Sequence, residues 1–129
     1  MSDKQLTNKE DVAAELSVVI NELVDNKITD MTILDLTPIH GYLQYFVIAS
    51  ALSSVHLKKL ANDIRFKLKE LDLHIKVPPN EQDITSGWVI LDYYDIVVHL
   101  FLDDTRKFYA LETLWKDARH IDHTSFINE

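Results

Sequence analysis

The sequence predicts an α/β domain built on a mixed sheet of about five strands, with an antiparallel hairpin and about three flanking helices. Three observations carry this. Residues 11–25 and 53–71 space their apolar side chains at the helical period. Between them, Tyr45-Phe46-Val47-Ile48-Ala49 is an unbroken apolar run, the pattern of a strand covered on both faces. Further on, two apolar runs flank Asp92-Tyr93-Tyr94-Asp95, which is a hairpin signal.

The elements follow in order. Val12, Leu16, Val19, Ile20, Leu23 and Val24 form one helical stripe. Thr7 and Glu10 have capping-box spacing and place the helix start near Asn8, while Asn26 and Lys27 end it. Met31–Leu36 reads as a strand stopped by Thr37-Pro38. After the central run, Ser53 or Ser54 caps a helix with the stripe Leu57, Leu60, Ala61, Ile64, Leu68 and Leu71. Leu73–Val77 reads as a short strand, giving a right-handed strand–helix–strand crossover. Pro78-Pro79 breaks it, and Asn80–Ser86 reads as a loop.

A two-residue turn at Tyr93-Tyr94 pairs Asp92 with Asp95, Ile90 with Val97 and Trp88 with His99. One hairpin face is then aliphatic, with Val89, Leu91, Ile96, Val98 and Leu100. The other carries Trp88, Ile90, Val97, His99 and Phe101, with Asp92 and Asp95. That face either packs under a helix or meets a partner. A last helix starts at Asp103 or Asp104, either acting as its cap, and turns Phe108, Leu111, Trp115 and Ala118 to the core. The domain spans 1–119, and 120–129 is a polar, loose C-terminal tail.

Composition narrows the chemistry. The 129 residues are 47% hydrophobic, enough for one domain with its own core. The absence of cysteine excludes a disulfide scaffold, a thiol nucleophile and cysteine-ligated metal. Thirteen Lys and Arg against 21 Asp and Glu give a net charge of −8. That balance opposes general nucleic-acid binding, leaves room for a small basic patch, and suits a basic protein partner. The polar N-terminus and the lack of a long apolar stretch predict a soluble, cytoplasmic protein with no membrane contact.

Catalytic constellations are sparse. His120 and His123 are spaced as a ligand pair but lack an evident third ligand, so no metal or other cofactor is expected. Asp30 with Asp35, Asp92 with Asp95, and Asp103 with Asp104 are carboxylate pairs, yet turn and cap roles explain them, and no glycine-rich phosphate loop exists. Ser50, Ser53 and Ser54 lack a nucleophile elbow. His99 is either a hydrogen-bonded core histidine or part of a partner surface. Trp88 divides the same way, and Trp115 fits the core stripe.

The stretch Trp88-Val-Ile-Leu-Asp-Tyr-Tyr-Asp-Ile-Val-Val-His-Leu-Phe101, followed by Arg106-Lys-Phe-Tyr-Ala-Leu-Glu-Thr-Leu-Trp115, resembles the signature of the ribosomal silencing factor (Iojap-like) family. Ile33–Leu36, Tyr45–Ser50 and Leu60–Asp63 match its upstream pattern, so the resemblance runs from about Val12 to Ala118. Gln44, Ala51 and Tyr94 depart from it, standing where the family usually has Asp, Gly and Gly. A tyrosine in place of the hairpin glycine points to a wider turn.

The resemblance implies a nucleotidyltransferase-like topology without need of that activity, hence no enzyme. It implies docking on the large ribosomal subunit through its fourteenth protein, steric exclusion of the small subunit and repression of translation. A homodimer when free is also implied. Carried over, the partner-binding residues are Trp88, Ile90, Asp92, His99, Arg106, Tyr109, Leu111 and Glu112. Arg106 and Glu112 have the alternative of bracing the helix–sheet junction. The competing functions are a large-subunit assembly factor and a nucleotidyltransferase-like enzyme.

Overall fold

A computed structural model describes residues 9–28 and 30–126, with the side chains of residues 9, 10, 125 and 126 left aside. Helix α1 (Lys9–Asp25) is followed by β1 (Met31–Asp35), the short α2 (Thr37–His40), β2 (Tyr45–Ala51) and α3 (Ser54–Glu70). Then come α4 (Glu81–Ser86), β3 (Trp88–Asp92), β4 (Ile96–Leu102), α5 (Asp103–Tyr109), α6 (Leu111–Leu114) and β5 (Arg119–Ile121). A 3-10 turn at His123–Phe126 closes the described chain. The Thr7 half of the expected capping box lies outside the described residues. Among those residues no helix is long and apolar enough to cross a membrane.

The five strands form one mixed sheet in the order β3-β4-β2-β1-β5. β2 sits in the middle, as its unbroken apolar run requires, parallel to β4 and antiparallel to β1. Strand alternation sends its side chains into two cores. Tyr45, Val47 and Ala49 join the aliphatic face of the hairpin beneath α1 and α3, where Leu16, Ile20, Leu60 and Ile64 are fully buried. Phe46 and Ile48 join Leu34, Phe101, Leu111 and Ala118 on the opposite face. The helical stripes of α1 and α3 are buried as expected, except that Val24 is only partly buried and Leu71 follows the end of α3 and is 40% exposed. Ser53 is the cap of α3, accepting a hydrogen bond from the His56 amide.

Several expectations are corrected. Leu73–Val77 is not a strand. It is fastened beside β3 by a bond from the Lys76 amide to the Asp92 carbonyl (2.9 Å). The strand after α3 is therefore β3, which runs antiparallel to β2 because β4 inserts between them, so the expected crossover is absent. Asn80–Ser86 is no loop but a capped helix. The Asn80 side chain accepts from the Asp83 amide and the Asp83 carboxylate accepts from the Asn80 amide. That helix ends on Gly87 at φ 83°, where an added Cβ would lie 2.6 Å from Thr105 Oγ1.

The hairpin register is shifted by two residues. Asp92 pairs with Val97, Ile90 with His99 and Trp88 with Phe101. A two-residue shift preserves which side chains share a face, so both faces are as expected. The turn is wider because β2 takes Ile96 as the partner of Tyr45, and the Tyr45 amide bonds to the Asp95 carbonyl. Tyr94 adopts φ 71° there, and its amide donates to Asp92 Oδ1 (2.8 Å).

The final helix is two helices. Ala110 takes φ 47°, ψ 50° between α5 and α6, which breaks the 3.6-residue period. Phe108 therefore points to solvent (81% exposed) instead of the core. Neither Asp103 nor Asp104 is the cap. Leu102 occupies that position, and both carboxylates lie in the first turn, where the helix dipole favours them. The first residues of the expected tail, His120 and Ile121, belong to a strand. β5 pairs with β1, and Arg119 Nη2 reaches Asp35 Oδ2 at 2.6 Å.

Candidate functional site

The mixed face of the hairpin is covered only in part. α5 and α6 lie over Phe101, Ile48 and Leu34, and leave the outer strand β3 at the margin. Trp88 occupies that margin. Its ring packs against Phe101 (4.9 Å between centroids) beneath and Tyr109 of α5 (4.6 Å) beside it. Two positions along β3, Ile90 is 42% exposed, and Tyr109 is 51% exposed. Trp88, Ile90 and Tyr109 therefore form a continuous apolar edge. A shallow groove of about 370 Å³ runs beside it, between Trp88, Ile90 and Asp92 and the segment Lys76–Pro79. The sheet holds Trp88 and Ile90 at fixed spacing, while Gly87 delivers the chain from α4 straight into Trp88.

His99 orients the tryptophan. The Trp88 indole N–H donates to His99 Nδ1 at 3.2 Å. This places the imidazole proton on Nε2, which is buried with no hydrogen-bond partner among the described residues. Phe46 packs on the same ring at 4.6 Å. Burial pushes the imidazole from 6.5 down to about 4, with a weak opposing pull from Asp92. The ring is neutral at pH 7, as an acceptor for indole must be.

Arg106 is the second organising group. Its guanidinium lies on the same sheet face and is only 7% exposed. It donates to Glu112 Oε2 at 2.6 and 2.9 Å, to the Asp30 carbonyl at 2.8 Å, to Ser50 Oγ at 2.9 Å and to Thr32 Oγ1 at 3.2 Å. These bonds tie α5, α6, β1 and β2 together. They hold α6 against the sheet across the Ala110 break and so set the position of Tyr109. A buried, paired guanidinium with five acceptor contacts is a brace.

The eight expected contact residues thus separate into two groups. Trp88, Ile90 and Tyr109 share the surface, with Asp92 half-buried at its rim. His99, Arg106 and Leu111 are buried, and the half-buried Glu112 pairs with Arg106. Asp92 also stabilises its own turn through Tyr94. Two surface members escaped the sequence reading, Phe108 and Val77, which are 81% and 68% exposed. Phe108 packs edge-on against Tyr109 at 5.1 Å. The Pro78-Pro79 pair beside Val77 was the available signal for that wall of the groove. Of the candidate metal pair, His120 lies on β5 and His123 in the turn after it. Among the described residues no three histidine or carboxylate side chains converge as ligands.

Comparison with known proteins agrees with this architecture. The family model described as "Ribosomal silencing factor during starvation" matches residues 9–129. The chain is 33% identical to a ribosomal silencing factor of Chromobacterium violaceum over 76% of its own length and 79% of the relative's. It is 29% identical to the mouse protein named "Mitochondrial assembly of ribosomal large subunit protein 1", over 78% of this chain and 45% of that one. A crystal structure of a Chromobacterium violaceum protein superposes with a TM-score of 0.71 at 31% identity, covering 79% of this chain and 83% of the other. The chain belongs to the ribosomal silencing factor family.

Proposed function

We propose that this protein docks on the large ribosomal subunit through its fourteenth protein and blocks joining of the small subunit by steric exclusion. The observation that carries this is the exposed edge of Trp88, Ile90 and Tyr109, mounted on a rigid sheet and buttressed by His99, Phe101 and Arg106. Aromatic and aliphatic anchors with a polar rim are ordinary interface anatomy. The net charge of −8 favours a basic protein surface as the partner. Blocking requires no chemistry from the protein. A 15.0 kDa body on the joining face excludes the other subunit to the extent that the site is occupied.

The test is co-sedimentation with isolated large subunits. Trp88→Ala should weaken binding by more than about 1 kcal/mol while the variant stays folded. Undiminished binding by that folded variant removes Trp88 from the interface. The name of the mouse relative supports a second reading, an assembly role on the same subunit. Deleting the gene would then leave precursor large particles, whereas a silencer changes the ratio of free subunits to joined ribosomes.

A further inference from the structure

On the far side of the sheet from Arg106, the outer surface of α3 carries an unusual charge. Between Lys58 and Lys76 the chain has six of its thirteen Lys and Arg, against three Asp and Glu. Lys58, Asn62, Arg65, Phe66 and Lys69 fall on one helical stripe flanking the buried one. This stripe forms a wall of a groove of about 360 Å³, whose other wall is Leu73, His74, Ile75 and Tyr93. Among the described residues no carboxylate lines it. Among the described residues neither Arg65 nor Lys69 has an ion-pair partner, and Phe66 is 63% exposed. Tyr94, the residue after the groove's Tyr93 in sequence, is 60% exposed with Lys76 Nζ at 5.4 Å from its ring centroid.

We propose that this groove binds a short single-stranded or looped segment of RNA, with Arg65 and Lys69 on phosphates and Phe66 and Tyr93 against bases. The chemistry matches on both counts. Guanidinium and ammonium groups without internal partners are free to take phosphate oxygens. Aromatic rings beside them are the stacking platform that single-stranded nucleic acid uses, whereas an acidic peptide has no bases to place there. The net charge of −8 does not forbid this, because screening over roughly 8 Å at physiological salt leaves the local cations dominant. The proposal rests on the docking reading only for the source of the RNA, since a protein seated on the large subunit lies beside ribosomal RNA.

The test uses the full chain and a dye-labelled single-stranded RNA of about 12 nucleotides, followed by anisotropy across a salt series. The comparison variants are the double substitution Arg65→Gln/Lys69→Gln and the single Phe66→Ala. Circular dichroism checks that each is folded. Binding should fall about tenfold in the double variant at low salt, and its log–log salt slope should drop by about 1.4, the value for two lost single-strand phosphate contacts. Phe66→Ala should lose at least about fivefold for RNA and nothing for heparin, which has charge but no bases. No RNA binding by the unaltered chain up to about 100 µM at low salt overturns the proposal, since stacking plus two phosphates exceeds that affinity. Equal losses for RNA and heparin in Phe66→Ala also overturn it, in favour of an acidic protein partner. RNA binding that survives when large-subunit co-sedimentation fails would sink the docking reading and leave this one standing.

Discussion

Replacing His99 by Gln tests whether the Trp88 platform rests on a neutral buried histidine. Glutamine keeps a carbonyl acceptor for the indole N–H but cannot titrate. Burial lowers the folded-state pKa of His99 from 6.5 to about 4. Between those values the unfolded chain binds a proton that the folded chain refuses. The histidine's contribution to stability is therefore fully present above about pH 6.5 and is lost as pH falls toward 4. Linkage with these two values gives a loss of about 2 kcal/mol by pH 5 and about 3 kcal/mol by pH 4. The assay is urea unfolding at several pH values, monitored by tryptophan fluorescence. Carboxylate titrations affect both proteins alike, so the difference between them isolates His99. The original chain should lose about 2 kcal/mol more than His99→Gln between pH 7 and pH 5. Parallel pH profiles would refute a neutral His99 and with it the assigned Trp88 hydrogen bond.

Other outcomes follow from the same structure. Arg106→Ala leaves Glu112 without its partner and strands acceptors on β1 and β2. Urea unfolding should show a loss of about 3 kcal/mol, and an exposed-pair loss below about 0.5 kcal/mol would contradict the brace. Tyr94 sits at φ 71°, so Tyr94→Gly should raise stability by about 1 kcal/mol in thermal unfolding, and a loss of stability would contradict backbone strain at this position. Gly87→Ala should destabilise by at least about 1 kcal/mol and loosen Trp88, seen as a shifted emission maximum, because its φ is 83° and its Cβ would meet Thr105.

The parts of the fold legible in sequence are those governed by periodicity. The alternation along Trp88–Leu91 and Ile96–Phe101 assigned every residue to its face, although the register differed by two. It could differ because parity survives such a shift, while the turn length depends on β2 claiming Ile96. The stripe of α3 was legible for the same reason. The Ala110 break was not, since alanine is a good helix former and only the Arg106 network and packing hold it at positive φ. Phe108 was misplaced as a consequence. α4 had a visible capping signal in Asn80 and Asp83, outweighed by the prolines before it. β5 is three residues long and polar, and owes its place to β1 pairing and Arg119 with Asp35. That carboxyl is raised by burial but lowered further by hydrogen bonds from Thr37 and Arg119, and lies below its ordinary range. At the site, surface and brace could not be separated in sequence, because Arg106 and Trp88 carry equally interface-like side chains.

The most direct test of the central claim is a subunit-joining assay by light scattering. Purified large subunits are preincubated with the protein, and small subunits are then added. Joining should fall in proportion to occupancy, and Trp88→Ala should need more than about fivefold higher concentration for the same effect. Full joining at concentrations that saturate the large subunit would contradict it.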